Sequence, residues 1–127
     1  MQAGPPVFSL ILLSLFLFSC DVTGINNARG EFVESGIASW YGSDYHGGPT
    51  ASGEPYDMDK LTAAHKTLPL QSIVRVVNLN NGRAVNVRIN DRGPFVQGRV
   101  IDLSRKAAWE IGIVNSGLTE VELYLIR

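Results

Sequence analysis

Val85, Val87 and Ile89 alternate with Asn86, Arg88 and Asn90. That spacing predicts a half-buried strand over 84–90, apolar on one face and polar on the other. Ile73 to Leu79 (IVRVVNL) is β-branched and Val-rich, which predicts a second strand. Between them, Asn80-Asn81-Gly82-Arg83 predicts a hairpin, because Asn and Gly tolerate the positive φ that a tight turn asks for. Gly36 to Gly42 (GIASWYG), Arg99 to Leu103 (RVIDL) and Glu120 to Ile126 (EVELYLI) read as three further strands. Ser104 is placed to cap a short helix over Arg105–Ile111, with Gly112 at its end. That helix would carry Ala107, Ala108 and Ile111 on one side. Several short strands with one short helix suggest a mainly β fold, a small closed barrel.

Two segments break the alternation. His46 to His65 (HGGPTASGEPYDMDKLTAAH) has little period, and a loop of that length inside a compact domain is usually functional. It holds Thr50, Ser52, Glu54, Tyr56, Asp57 and His65, all able to make directional polar contacts. Asn90 to Phe95 (NDRGPF) places Asp91 just past the end of a strand. Gly93 and Pro94 impose a sharp local backbone there, so Asp91 is a carboxylate on a rigid turn, well placed to face a cleft. Trp40 and Tyr41 are candidates for an aromatic binding surface. Neighbours on a strand point to opposite faces, so one of the two is expected in the core.

The N-terminus has a different character. Val7 to Phe18 (VFSLILLSLFLF) is an uncharged run of twelve residues. It is too short to span a bilayer comfortably and matches the apolar core of a secretory leader, although Met1 to Pro6 lacks Lys and Arg. Leu17-Phe18-Ser19-Cys20 follows directly and resembles the lipobox of bacterial lipoproteins. The expectation is a leader at 1–19, cleaved before a lipid-modified Cys20 that anchors the chain at a membrane surface. A polar tether at 20–34 and a folded domain at 35–127 would follow.

Composition narrows the function. Hydrophobic residues make up 45% and charged residues 18%, values of a chain that folds. Eleven Lys and Arg against twelve Asp and Glu give a net charge of −1. Recognition of nucleic acid by overall charge is thereby excluded. One Cys excludes an intrachain disulfide and a multi-Cys metal site. His46, His65 and Asp91 do not have the spacing of a zinc motif, and no cofactor is expected. Arg75 to Lys106 is locally basic, holding seven Arg and Lys against Asp91 and Asp102. That balance would suit a cleft wall facing the carboxylates of an acidic polymer.

GIASWYG, HGGPTASGEPYDM, LTAAHKTLPL, VRVVNLNNGRAVNVRINDRGPF and GRVIDLS, in that order, resemble the rare lipoprotein A family of septal-ring lytic transglycosylases. The likeness covers nearly all of 36–126. It implies a six-stranded double-psi β-barrel with one or two short helices, a fold shared with expansins and some endoglucanases. It also implies catalytic roles for Asp91 in the DRGPF motif, Glu54 in the SGE-x-Y motif and His65 in the TAAH motif. Thr50, Ser52, Tyr56, Arg92 and Phe95, with Trp40 and Tyr41, would bind substrate. Gly48 stands where the family often has a basic residue, and Gln71-Ser72 where Gly-Thr is common. Many relatives add a C-terminal SPOR domain, which is not expected here. The implied partners are peptidoglycan glycan strands, the membrane holding Cys20, and proteins of the division site. The implied location is the bacterial envelope, facing the periplasm or cell wall.

The chemistry can be framed from the reaction itself. Cleaving a glycosidic bond needs an acid for the leaving oxygen and a nucleophile at the anomeric carbon. A lytic transglycosylase uses the C6 hydroxyl of the muramic acid unit, so the attack is intramolecular. One carboxyl can then act first as acid and afterwards as base, and Asp91 is the candidate. Glu54 is expected as a second carboxylate or as a stabiliser of oxocarbenium charge, and His65 as a residue that orients Asp91 or bonds the sugar. An acid must hold its proton, so Arg92 is expected to turn away, toward solvent or glycan carboxylates. Two non-catalytic readings stand beside this one: an expansin-like glycan-binding module and a structural lipoprotein.

Overall fold

The computed structural model describes residues 30–127. The expected leader at 1–19, Cys20 and the tether up to residue 29 lie outside the described residues. Six strands are present: β1 (Glu31–Trp40), β2 (Thr62–Ala64), β3 (Ile73–Asn78), β4 (Ala84–Asp91), β5 (Arg99–Leu103) and β6 (Thr119–Leu125). A 3₁₀ turn at Ser43–Tyr45 follows β1, and one helix, α1 (Arg105–Glu110), follows β5. The strands close into a barrel in the order β1-β5-β2-β4-β3-β6. β1 with β5 and β2 with β4 are parallel pairs, and the remaining pairs are antiparallel. No helix among the described residues is long and apolar enough to cross a membrane.

The barrel interior follows the alternation read from the sequence. Val85, Val87 and Ile89 of β4 are buried and meet Val74 and Val76 of β3 and Leu123 of β6. Ser104 caps α1 by accepting the Ala107 N–H at 3.2 Å. Gly112 (φ +78°) closes the helix, its N–H bonding the Trp109 carbonyl while the Ile113 N–H reaches back to Ala108. That is the Schellman arrangement, which favours glycine at this point. Ala107, Ala108 and Ile111 are turned into the core.

Three local features depart from expectation. β1 begins at Glu31, so residues 31–34, read as the end of the tether, are rungs of the sheet opposite β6. Phe32 packs edge-on against Tyr124 with ring centroids 5.7 Å apart, and Val33 rests on the core. A bulge between Phe32 and Glu34 breaks the alternation that would have marked these residues as strand. The β3–β4 hairpin forms, but its loop is longer than two residues. The Asn78 N–H bonds Arg83, the Gly82 N–H bonds Asn78, and of the Asn-Gly pair only Gly82 has positive φ. Finally, β2 lies inside the segment read as a loop.

Gly36 sits where β1 passes β5. A Cβ there would come within 2.5 Å of Val100 Cγ1 and 3.2 Å of the Gly98 carbonyl oxygen. Gly36→Ala is expected to lower stability by about 1–3 kcal/mol through overpacking, read as a fall in the denaturation midpoint. An unchanged midpoint would show that Val100 yields without cost.

Candidate active site

β4 ends at Asp91, and three groups hold its carboxylate. Oδ1 accepts the N–H of Ala51 at 2.9 Å and that of Arg92 at 2.8 Å. Oδ2 accepts the hydroxyl of Tyr41 at 3.1 Å. Asp91 is only partly buried. It lines an open pocket of about 410 Å³ together with Tyr41, Asp44, Tyr45, His46, Gly47, Gly48, Pro49 and Tyr56. With Oδ1 saturated by two amides, Oδ2 is the oxygen left to carry and exchange a proton. Burial, and then the nearby charges of Asp91 and Asp102, push the Tyr41 hydroxyl far above its usual range. Tyr41 therefore stays protonated and donates to Asp91.

The loop before β2 is laid along the last residues of β4. Glu54 forms a forked ion pair with Arg88, one contact to Arg88 Nη1 and a second at 3.1 Å to Nη2. The Ser52 N–H bonds the Asn90 carbonyl at 3.1 Å, and the Ala51 N–H reaches Asp91. Thr50 and Ser52 are turned into this loop. The Thr50 hydroxyl donates to the Glu54 carbonyl at 2.5 Å and lies 3.0 Å from Ser52 Oγ, which lies 3.4 Å from Glu54 Oε1. Hydrogen bonds from Arg88 are the main reason the Glu54 carboxyl is lowered to about 2. At neutral pH Glu54 is therefore a committed anion, and neither it, Thr50 nor Ser52 lines the Asp91 pocket.

His65 is tied to Asp91 through the backbone, not through its ring. Its N–H bonds the Asp91 carbonyl at 3.1 Å. The ring is buried, with Nε2 at 2.8 Å from Glu34 and Nδ1 accepting the N–H groups of Thr67 and Leu68 at 3.1 Å each. Both ring nitrogens are thus engaged away from the Asp91 carboxylate. Arg92 does turn away from that carboxylate, though not into solvent: Nη1 donates to the carbonyls of Leu68 at 2.8 Å and His65 at 3.2 Å.

The aromatic candidates divide. Trp40 packs against the core while Tyr41 faces the pocket, as opposite faces of a strand require. Tyr56 is 3% exposed and forms the pocket floor. Its ring meets Tyr41 edge-on at 5.0 Å, and its hydroxyl accepts the Arg105 N–H at 3.1 Å. Phe95 is 81% exposed on the loop leaving Asp91.

The pocket wall is not basic, as its composition led one to expect. Arg88 is paired with Glu54, Arg92 with carbonyls, and Arg99 with Asp102 and Ser39. The wall is aromatic instead, supplied by Tyr45 and by His46, whose Nδ1 accepts the Met58 N–H. That bond leaves the proton of the neutral ring on Nε2. Sequence spacing gives no sign of Arg88, Glu34 or Asp44 as site residues. Arg88 did carry one signal, being the only charged residue on the polar face of β4. Gln71 has φ +78°, a region that favours glycine, and its Oε1 accepts from Arg88 at 2.9 Å. Glycine at 71 could not make that contact.

Comparison with known proteins places this geometry. A family profile described as lytic transglycolase matches residues 33–123. Endolytic peptidoglycan transglycosylase RlpA of Vibrio cholerae is 55% identical over 102 residues, covering 80% of this chain and 38% of that protein. RlpA of Campylobacter jejuni is 57% identical over 99 residues, covering 78% and 36%. The chain thus spans well under half the length of these curated relatives. Among solved structures, a Streptomyces papain inhibitor superposes with a TM-score of 0.60 at 22% identity, over 77% of this chain and 99% of its own. A Clavibacter michiganensis expansin superposes with a TM-score of 0.57 at 21% identity, over 73% and 50%. These two likenesses concern the fold alone.

Proposed function

Because the chain belongs to the lytic transglycolase family of double-psi β-barrels, that of the RlpA proteins, we propose that it is an endolytic peptidoglycan transglycosylase with Asp91 as its acid and base. The observation that carries this reading is the Asp91 carboxyl at the rim of an open pocket, with one oxygen fixed by two amides and the other, which accepts only the Tyr41 hydroxyl, left to exchange a proton. In this reading Oδ2 gives its proton to the oxygen leaving the muramic acid anomeric carbon. The C6 hydroxyl of the same sugar attacks that carbon, and its proton passes to the Asp91 carboxylate. The C1–O bond to the next sugar breaks, a C1–O6 bond forms, and the acid is restored. Tyr41 holds Oδ2 in place throughout. Tyr45, His46 and Phe95 contact the glycan, and peptide-poor strands are the expected substrate. Glu54 and His65 act as positioning residues: Glu54–Arg88 seats the loop that brings the Ala51 N–H, and His65–Glu34 fixes the exit of β2 beside Asp91.

The test is to digest purified wall glycan and weigh the products. Anhydromuramyl ends are expected. Reducing ends would make the protein a hydrolase, and binding with no new ends would make it an expansin-like module.

The reading extends to the envelope. Residues 1–19 are cleaved as a leader, Cys20 carries the lipid, and the domain works on the wall from a membrane surface, where proteins of the division site are available as partners. Cys20→Ser is expected to move the protein from the membrane fraction to the soluble one. Unchanged membrane association in that variant would end the anchor reading.

A further inference from the structure

A second pocket, of about 200 Å³, shares no residue with the first. It is lined by Arg83, Trp109, Gly112, Val114 and Asn115. Arg83 immediately precedes β4 and Asp91 ends it. At roughly 3.3 Å per residue the eight steps from Arg83 to Asp91 set the two sites about 26 Å apart along the strand. The second pocket is built by the β3–β4 turn clasping the end of α1. Asn78 and Asn81 donate to the Ile111 carbonyl at 2.8 and 3.1 Å, and Arg83 Nη2 donates to the Trp109 carbonyl at 3.4 Å. A Cβ on Gly112 would come within 2.8 Å of Arg83 Nη1, so glycine keeps room for the guanidinium.

Two features of this pocket are left over once core packing and ion pairing are accounted for. Trp109 is 65% exposed, although the apolar side of α1 is fully supplied by Ala107 and Ala108. Arg83 makes no ion pair among the described residues. Arg105 and Lys106, one turn before Trp109 on α1, are likewise without an ion pair and exposed. Arg83 is the one charged side chain among the residues lining this pocket, and it stands beside an open indole.

We infer that the Arg83–Trp109–Asn115 pocket is a second, non-catalytic glycan site that takes an acidic N-acetylated amino sugar of the cell wall. The indole face covers the apolar CH side of a sugar ring, the guanidinium pairs with its lactyl or peptide carboxylate, and the Asn115 amide bonds its hydroxyl or acetamido groups. The small cavity, part apolar and part polar, with Arg83 outside any ion pair among the described residues, favours such a saccharide over an apolar protein segment. The choice of ligand rests on the wall-glycan reading above. The site would hold one part of the glycan network while the Asp91 pocket works on another.

The test uses the full chain carrying Asp91→Asn, so that the wall is bound and not cut. Cosedimentation with purified sacculi should weaken at least about 5-fold for Trp109→Ala and for Arg83→Gln, with Arg83→Lys intermediate. Binding should also weaken with salt for the parent more than for Arg83→Gln. A soluble muramyl disaccharide-peptide should shift the Trp109 indole N–H resonance. Trp109 is exposed, so its removal leaves the fold intact, which the melting midpoint verifies. Unchanged sacculus affinity in both variants, or an indole resonance that does not move, overturns the proposal; a protein captured on the patch instead does the same. Cleavage by the chain with Asp91 intact is measured on the same sacculi. Its absence would end the catalytic reading while leaving the Trp109 result to stand by itself.

Discussion

Asp91→Asn is expected to cut the release of anhydromuramyl products by roughly 10²–10⁴-fold, the range for loss of a positioned acid–base group, while the barrel stays folded and still binds glycan. Asparagine preserves the shape of the site. Its amide oxygen can take the place of Oδ1 and accept the Ala51 and Arg92 N–H groups. Its NH₂ then faces the Tyr41 hydroxyl, which can rotate to accept rather than donate. Only the exchangeable proton is gone. Asp91→Ala differs, because it leaves two amide donors without their partner and should also destabilise the domain by about 1–3 kcal/mol. Product yield by mass spectrometry, read beside the melting midpoint of each variant, separates chemistry from folding. Activity of Asp91→Asn within about tenfold of the parent would remove Asp91 from the catalytic role.

The fold was legible wherever a strand is long enough to alternate and one face is buried. β4 and β5 carry their own pattern, and α1 carries a cap and a terminating glycine. β2 carries neither. Its three residues, Thr62–Ala64, are all buried because β4 and β5 flank it on both sides, and that burial is a property of the closed barrel. The first rungs of β1 were hidden for a related reason, since Glu31 and Glu34 are polar and become strand only because β6 offers a partner. The hairpin turn was legible in place but not in length.

The site was legible in its residue types and less so in their pairings. Asp91 at a strand end and Tyr41 opposite Trp40 follow from local pattern. Glu54 and His65 were expected to act on Asp91 or the sugar directly, but their side chains are tied to Arg88 and Glu34, which lie 34 and 31 positions away. No local spacing encodes such pairs. The local charge sum misled for the same reason. Arg88, Arg92 and Arg99 look like a cleft wall in one dimension, and in three each is consumed by an internal acceptor.

Arg88→Met is expected to lower wall cleavage by about 10²-fold, although Arg88 does not line the Asp91 pocket. The mechanism is positional. Arg88 forks onto Glu54 and also reaches Gln71, and Glu54 seats the loop whose Ala51 N–H fixes Asp91 Oδ1. Freed from Arg88, the loop loses its only ion pair among the described residues, and a displacement of about 1 Å at the reacting carboxyl is enough for a loss of that size. The pair also sets an acid limit. The Glu54 carboxyl is lowered from 4.5 to about 2 by Arg88, so its contribution to loop order is complete above pH 4.5 and is lost as pH falls through about 2. A carboxyl carbon NMR titration should place Glu54 near 2 in the parent and clearly higher in Arg88→Met, where the main lowering cause is gone. Protection of the Ala51 amide should fall over the same range in the parent. Arg88→Lys keeps the charge without the fork and should recover only part of the activity. If Arg88→Met cleaves as fast as the parent while its Glu54 titrates well above the parent's, the loop does not govern Asp91, and the carboxyl is held by Tyr41 and the Arg92 amide without help from β4's polar face.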